Sequence, residues 1–99
     1  MLNIRKEKKG SKLIVSLEGK LDTLTAPQLQ EELDSCLEGV TELDFDFTDL
    51  EYISSAGLRI LLTMHKRMAP LEGMTVRNLS EEVAEVFDIT GFADTINIQ

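Results

Sequence analysis

Two adjacent hydroxyls, Ser54 and Ser55, stand in the run Tyr52-Ile53-Ser54-Ser55-Ala56-Gly57-Leu58, between a strand-like segment and a helix-like one. Backbone N–H groups at a helix start have no partner inside the helix, and they favour an oxygen acceptor or a negative charge. A serine there has two chemical uses. Its hydroxyl oxygen can cap the helix, or it can carry a phosphate that the helix end tolerates and a partner reads. Capping serines are far commoner than regulated ones, so the spacing alone favours the cap. Two features weigh the other way. One serine suffices for a cap and two are present, and Ala56 and Gly57 beside them offer no bulk to shield them.

Enzymatic chemistry finds little support. The chain has no G-x-S-x-G nucleophile elbow and a single histidine, His65, to serve as a base. It has neither a G-x-x-x-x-G-K-[ST] phosphate loop nor a G-x-G-x-x-G turn, the motifs of a nucleotide-binding enzyme. Glu42, Asp44 and Asp46 alternate along one segment and could attract a hard cation. A solvated face balanced by basic residues on neighbouring strands is the simpler reading. Lone Cys36 closes no disulfide within the chain and makes no metal motif with His65. The residues point to a protein-binding module without metal or cofactor, whose serine is acted upon rather than acting.

Ninety-nine residues with a 42% hydrophobic share make one globular domain, residues 1–99. The net charge of −8 argues against nucleic acid and against anionic membrane surfaces as partners. No strictly apolar run is longer than the three residues of Ile60-Leu61-Leu62, too short to span a bilayer. The opening Met-Leu-Asn-Ile-Arg-Lys-Glu-Lys-Lys carries charge without an apolar stretch behind it, unlike a signal peptide. A reducing, cytoplasmic setting and a monomer are the expectations.

The elements that must position the serines follow from periodicity. Leu2 to Glu7 and Lys12 to Glu18 read as strands joined by a Gly10-Ser11 turn, an antiparallel hairpin. Gly19 to Leu24 reads as a loop. Thr25-Ala26-Pro27-Gln28 predicts a helix start, with Thr25 as N-cap and Gln28 at the capping-box position, and Gly39 predicts the helix end. From Glu42 to Thr48 the chain alternates: Leu43, Phe45 and Phe47 on one face, Glu42, Asp44, Asp46 and Thr48 on the other. Burying three unpaired carboxylates is very costly, so that second face is expected to be wet. Helices therefore cover the sheet mainly on one side, because strands buried on both faces read as continuous apolar runs. The stretch from Asp49 is read as starting where this strand ends.

The second helix is predicted over Ser55 to about Met68. Its apolar side chains spread over roughly 200°, more than a helix lying on one sheet requires. A neighbouring helix is the first explanation for the excess and a partner protein the second, with His65 packed at the core edge and Ile60 and Met64 as candidate partner contacts. Pro70 and Gly73 mark a turn, Met74 to Asn78 a strand, Ser80 the cap of a third helix closed by Gly91, and Thr95 to Ile98 a last strand or tail. The fold class is α/β: a mixed sheet of four to five strands, an opening β-hairpin, then alternating helix and strand with parallel neighbours.

Three segments, in order, resemble the STAS domain, shared by anti-sigma factor antagonists and the cytoplasmic tails of sulfate transporters. Gly19-Lys20-Leu21-Asp22-Thr23-Leu24-Thr25-Ala26 is similar to the family's G-x-L-D loop and first helix. Leu43 to Leu50 resembles the strand before the switch. Tyr52 to Leu58 resembles the switch itself, often written D-S-S-G-L. The resemblance covers nearly the whole chain. It implies that the unphosphorylated protein binds an anti-sigma factor and so releases a sigma factor. That partner is commonly also a serine-protein kinase, which ends the complex by phosphorylating the helix mouth, and a PP2C-type serine phosphatase resets the switch. The family's phosphorylated serine falls on Ser55. The preceding Asp is Ser54 here, an alternative acceptor, and the second serine is Ala56. The loop Asp falls on Asp22. Together with Ile60 and Met64 from the apolar arc, the candidate partner-binding residues are Asp22, Thr23, Ser54, Ser55, Ala56, Gly57 and Arg59. The resemblance also allows a STAS adaptor subunit of a lipid-transport ABC ATPase, docking through the same face without a phosphoswitch.

Overall fold

The alternation of Leu13, Val15 and Leu17 and that of Leu43, Phe45 and Phe47 place two strands side by side, and the rest of the sheet grows outward from that pair. The computed structural model describes residues 1–99. The elements run β1 (Leu2–Lys9), β2 (Lys12–Leu21), α1 (Ala26–Asp34), β3 (Glu42–Ile53), α2 (Ser55–Met68), β4 (Gly73–Arg77), α3 (Glu81–Thr90) and β5 (Asn97–Ile98), with one 3-10 turn at Phe92–Asp94 before β5. The strands lie in chain order in one sheet. β1 is antiparallel to β2 through the Gly10-Ser11 turn, and β2 to β5 are parallel neighbours. The mixed sheet with its opening hairpin is the predicted one.

Register sorts the side chains into rows. Val15, Phe45, Val76 and Ile98 pair across four strands on the helix side. Against them pack Leu29 and Leu33 of α1, Leu61, Met64 and Met68 of α2, and Val83 and Phe87 of α3. The Phe47 ring meets Phe45 at 5.9 Å and Phe87 edge-on at 6.5 Å between centroids. These contacts place the core on one side of the sheet. On the other side lie Arg5, Ser16, Asp46 and Arg77, exposed or half-buried.

Four expectations change. Asp44 is not on a wet face: it is buried, at 4% exposure. It escapes the cost of an unpaired charge because Arg77 of β4 donates through Nη2 at 2.7 Å and Nε at 3.0 Å, and Lys12 of β2 stands 3.5 Å away. The balancing cations do sit on the neighbouring strands, as expected. Secondly, β3 continues to Ile53, so the stretch from Asp49 begins inside the strand. Thirdly, β2 continues through Gly19 to Leu21, where the sequence reads as loop. The pairing slips between Ser16 and Glu18, opposite Asp46 and Asp49, and again between Gly19 and Lys20, opposite Leu50 and Tyr52, so the extra residue lies in β3 each time. Such bulges break the two-residue period on which the reading of β3 rests, whereas β2 alternates unbroken to buried Leu21 and only Gly19 reads as a strand end. Lastly, α1 ends at Asp34, well before Gly39. Ser35 donates back to the Glu32 carbonyl, and a turn then buries Leu37.

Candidate functional site

The C-terminal ends of β2 and β3 meet the starts of α1 and α2, and the two most specific sequence motifs interlock there. Gly19 has φ +103°, and a Cβ on it would lie 2.2 Å from the Met1 carbonyl oxygen, so the position admits glycine alone. Two residues on, the Leu21 carbonyl accepts from Ser54 N–H at 2.9 Å. The Leu21 side chain fills the space against Gly57, where a Cβ would sit 2.7 Å from Leu21 Cγ and 2.9 Å from Ile53 Cγ1. The Gly-Lys-Leu-Asp segment and the Ser-Ser-Ala-Gly segment therefore set each other's position.

Asp22 shapes the adjoining loop. Its Oδ1 accepts from the N–H groups of Leu24 at 3.0 Å and Thr25 at 3.1 Å. The Thr25 N–H, then the other donors in that turn, hold its carboxyl below the usual aspartate range. Thr25 stands at the N-cap position of α1 but makes no capping bond. Its hydroxyl turns back instead, accepting from Asp22 N–H and donating to the Lys20 carbonyl, each at 2.9 Å. Gln28 is exposed and closes no capping box. The loop so braced holds Thr23 and Leu24 out to solvent, Leu24 at 88% exposure.

At the mouth of α2 the two serines divide the work. Ser54 has extended backbone, and its hydroxyl accepts from Gly57 N–H at 3.4 Å while its carbonyl accepts from Leu58 N–H at 3.0 Å. It is the cap. Ser55 is the first helical residue, and it is exposed. Arg59, one turn on, is also exposed, whereas Ala56 and Ile60 are half-buried against the core. Gly57 is buried beneath Leu21 and Ile53 and presents no surface of its own. Met64 is fully buried, contrary to its reading as a partner contact. The wide apolar arc is covered within the molecule, with α1 beside α2 and the sheet beneath it. His65 sits half-buried at the core edge, as its place in that arc predicts.

One wall of the site was not legible in the sequence. Thr90 and Phe92, from the end of α3 and the turn after it, face α2 and close a shallow groove with Ser55, Leu58, Arg59 and Leu62. Nothing in the local pattern of the last twenty residues announces that contact, because it depends on how α3 packs on Phe47. On the other flank, Lys20, Asp22, Glu51, Tyr52 and Glu82 line a second, mostly acidic depression. No group of three or more His, Cys, Asp or Glu side chains is arranged to hold a metal ion. No helix is long and apolar enough to cross a membrane.

Comparison with known proteins places this geometry. The chain matches the STAS domain model over residues 3–99. It is 31% identical over 98 residues to the anti-sigma-B factor antagonist of Bacillus subtilis (strain 168), covering 98% of this chain and 90% of that one. Its fold superposes on an anti-sigma factor antagonist from Mycobacterium paratuberculosis with a TM-score of 0.89 at 22% identity, over 99% of this chain and 85% of that one. It also superposes on the Bacillus anti-sigma factor antagonist SpoIIAA. For the unphosphorylated form the TM-score is 0.83 at 20% identity, over 98% of this chain and 88% of that one. For the phosphorylated form it is 0.75 at 19%, over 98% and 91%. With its two motifs interlocked at the strand ends and the family match running from β1 to the last residue, the chain belongs to the STAS-domain family.

Proposed function

We propose that this chain is an anti-sigma factor antagonist whose binding is switched off by phosphorylation of Ser55. The observation that carries the reading is the division between the two serines: Ser54 is committed to the helix cap, and Ser55 stands exposed beside it. A relative of the same fold, SpoIIAA, is known in both phosphorylated and unphosphorylated forms. Unphosphorylated, the exposed loop Thr23–Leu24 and the Ser55–Arg59 edge of α2 dock on an anti-sigma factor, which thereby releases its sigma factor. That partner, also a serine-protein kinase, transfers the γ-phosphoryl group of ATP to Ser55 Oγ. The serine proton and ADP leave. The new group carries about two negative charges at neutral pH, and a contact surface shaped for a neutral hydroxyl then meets uncompensated charge, which costs several kcal/mol across an interface. A PP2C-type phosphatase hydrolyses the ester and restores binding.

The test is capture from the native cells with wild-type protein and Ser55→Asp, with mass spectrometry of partners and bait. Wild type is expected to retain a kinase-like anti-sigma factor and to carry phosphate on Ser55. Ser55→Asp should lose at least tenfold in affinity while its thermal midpoint stays near that of wild type. Capture of a transport ATPase by both forms, with neither serine modified, would replace this reading by that of an adaptor subunit.

A further inference from the structure

Ser55 and Arg59 lie four residues apart on α2, the spacing that stacks side chains on one helix face with Cβ atoms roughly 5–6 Å apart. Both are exposed, and both line the groove completed by Leu58, Leu62, Thr90 and Phe92. Arg59 takes part in none of the molecule's ion pairs, although acidic groups outnumber basic ones by 18 to 10. No carboxylate lines this groove. Asp22 and Glu51, from the loop after β2 and the end of β3, line the depression on the other flank, as does Glu82 of α3. Asp88 and Asp94 are exposed on α3 and the 3-10 turn that form the far wall. Arg59 is thus the one charged side chain in the same groove as the exposed serine, in a molecule whose net charge is −8.

We infer that Arg59 is the positioning residue of the switch, closing on a phosphate at Ser55 and holding it against the first turn of α2. The inference rests on Ser55 as the phosphorylated residue. A guanidinium presents several N–H donors in a rigid fork that matches phosphate oxygens, and such charge-assisted bonds are short and strong. The apolar walls, Leu58, Leu62 and Phe92, strengthen the pairing by keeping part of the groove from water. Two consequences follow for binding. The phosphate is fixed in one place in front of the docking edge, and Arg59 is withdrawn from any acidic group a partner offers it.

The experiment uses full-length protein with phosphoserine installed at position 55 during synthesis, so no kinase is needed. The phosphate is titrated by 31P NMR at low salt in three backgrounds: wild type at position 59, Arg59→Gln and Arg59→Lys. Arg59 stabilises the dianion. The second phosphate pKa, about 6 for a free phosphoserine, is therefore expected about half a pH unit lower with Arg59 present than in the Arg59→Gln protein. The Arg59→Lys protein should recover part of that shift, and 1 M salt should shrink it. A structural role for an exposed helix residue would not move this titration. Equal pKa values in the wild-type and Arg59→Gln backgrounds would overturn the inference. Failure of the cellular capture experiment would remove the switch and leave this titration unchanged, so the two readings fail separately.

Discussion

At the start of α2 the Ser54 hydroxyl accepts from the N–H of Gly57 at 3.4 Å; at the start of α3 the Ser80 hydroxyl accepts from that of Val83 at 3.3 Å. Both serines have extended backbone and both helices begin at the next residue. There the likeness stops. The first turn of α3 holds Glu81 and Glu82, permanent negative charge where the helix dipole favours it. The first turn of α2 holds Ser55, Ala56 and Gly57 and no charge at all. Ser55 occupies in α2 the position that Glu81 occupies in α3. A charge at that position is therefore compatible with this kind of helix start, and its absence from α2 is not demanded by the fold. Phosphorylation of Ser55 would give α2 what α3 always has. The fold is thus expected to survive a change that a partner cannot ignore.

The third helical position separates the two starts most sharply. In α3 it is Val83, fully buried; in α2 it is Gly57, closed over by Leu21 and Ile53. Making α2 resemble α3 by Gly57→Val should cost about 3 kcal/mol, near the upper end for overpacking, because Leu21 and Ile53 are themselves buried and cannot retreat. Urea unfolding would read it as a lowered midpoint at unchanged slope. A cost below about 1 kcal/mol would mean that the two motifs are not interlocked as described.

The caps come next in size. Ser54→Ala and Ser80→Ala should each lower stability by about 1 kcal/mol, since each leaves an N–H at a helix start without its acceptor. Ser55→Ala should stay within about 0.5 kcal/mol of wild type, as exposed substitutions usually do. Chemical denaturation of the three variants decides the division of labour between the serines. If Ser55→Ala cost as much as Ser54→Ala, the cap would not belong to Ser54 alone and Ser55 would lose its standing as the free hydroxyl.

Much of this site was legible because its signals are local. The span of α2 follows from the small residues at its mouth and the apolar spacing behind them, and the Ser80 cap and the Gly91 end of α3 follow in the same way. What escaped depends on other elements. Asp44 reads as a wet carboxylate until the register brings Arg77 and Lys12 alongside it. Met64 reads as surplus apolar surface until α1 is set beside α2. Thr25 has the chemistry of a cap, yet the chain path puts the Lys20 carbonyl and Asp22 N–H within reach of its hydroxyl first. The bulges in β3 hid its end, because one extra residue reverses the alternation beyond it, and Gly19 hid the end of β2. Apart from Thr25, whose competing partners are near it in sequence, the missing information is a partner distant in sequence, and periodicity does not report such partners.

The approaches to the two helix mouths offer the finest comparison. Each is held by one aspartate: Asp22 braces the loop beside α2, and Asp46 accepts from Thr48 N–H and from the Asn78 side chain on the way into α3, both at 3.0 Å. Hydrogen bonds from Thr48 and Asn78 hold the Asp46 carboxyl below the usual range, as those of the Thr25 turn hold that of Asp22. A carboxyl whose folded pKa lies below its unfolded one binds fewer protons when folded, so stability rises with pH across that interval. The contribution is fully present above the unfolded value, near 3.8, and is lost as pH falls through the folded one. Asp46→Asn keeps an oxygen acceptor and removes the charge. It should cost less than about 1 kcal/mol at pH 7, since the group is partly open to solvent, and the gap to wild type should close as both are titrated from pH 5 towards pH 2. Other carboxylates cancel in the difference. Asp22→Asn should show the same convergence at the α2 side. A gap for Asp46→Asn that stayed constant with pH would mean that shape rather than charge holds the entry to α3, and the two mouths would then differ in their approaches as well as in their first turns.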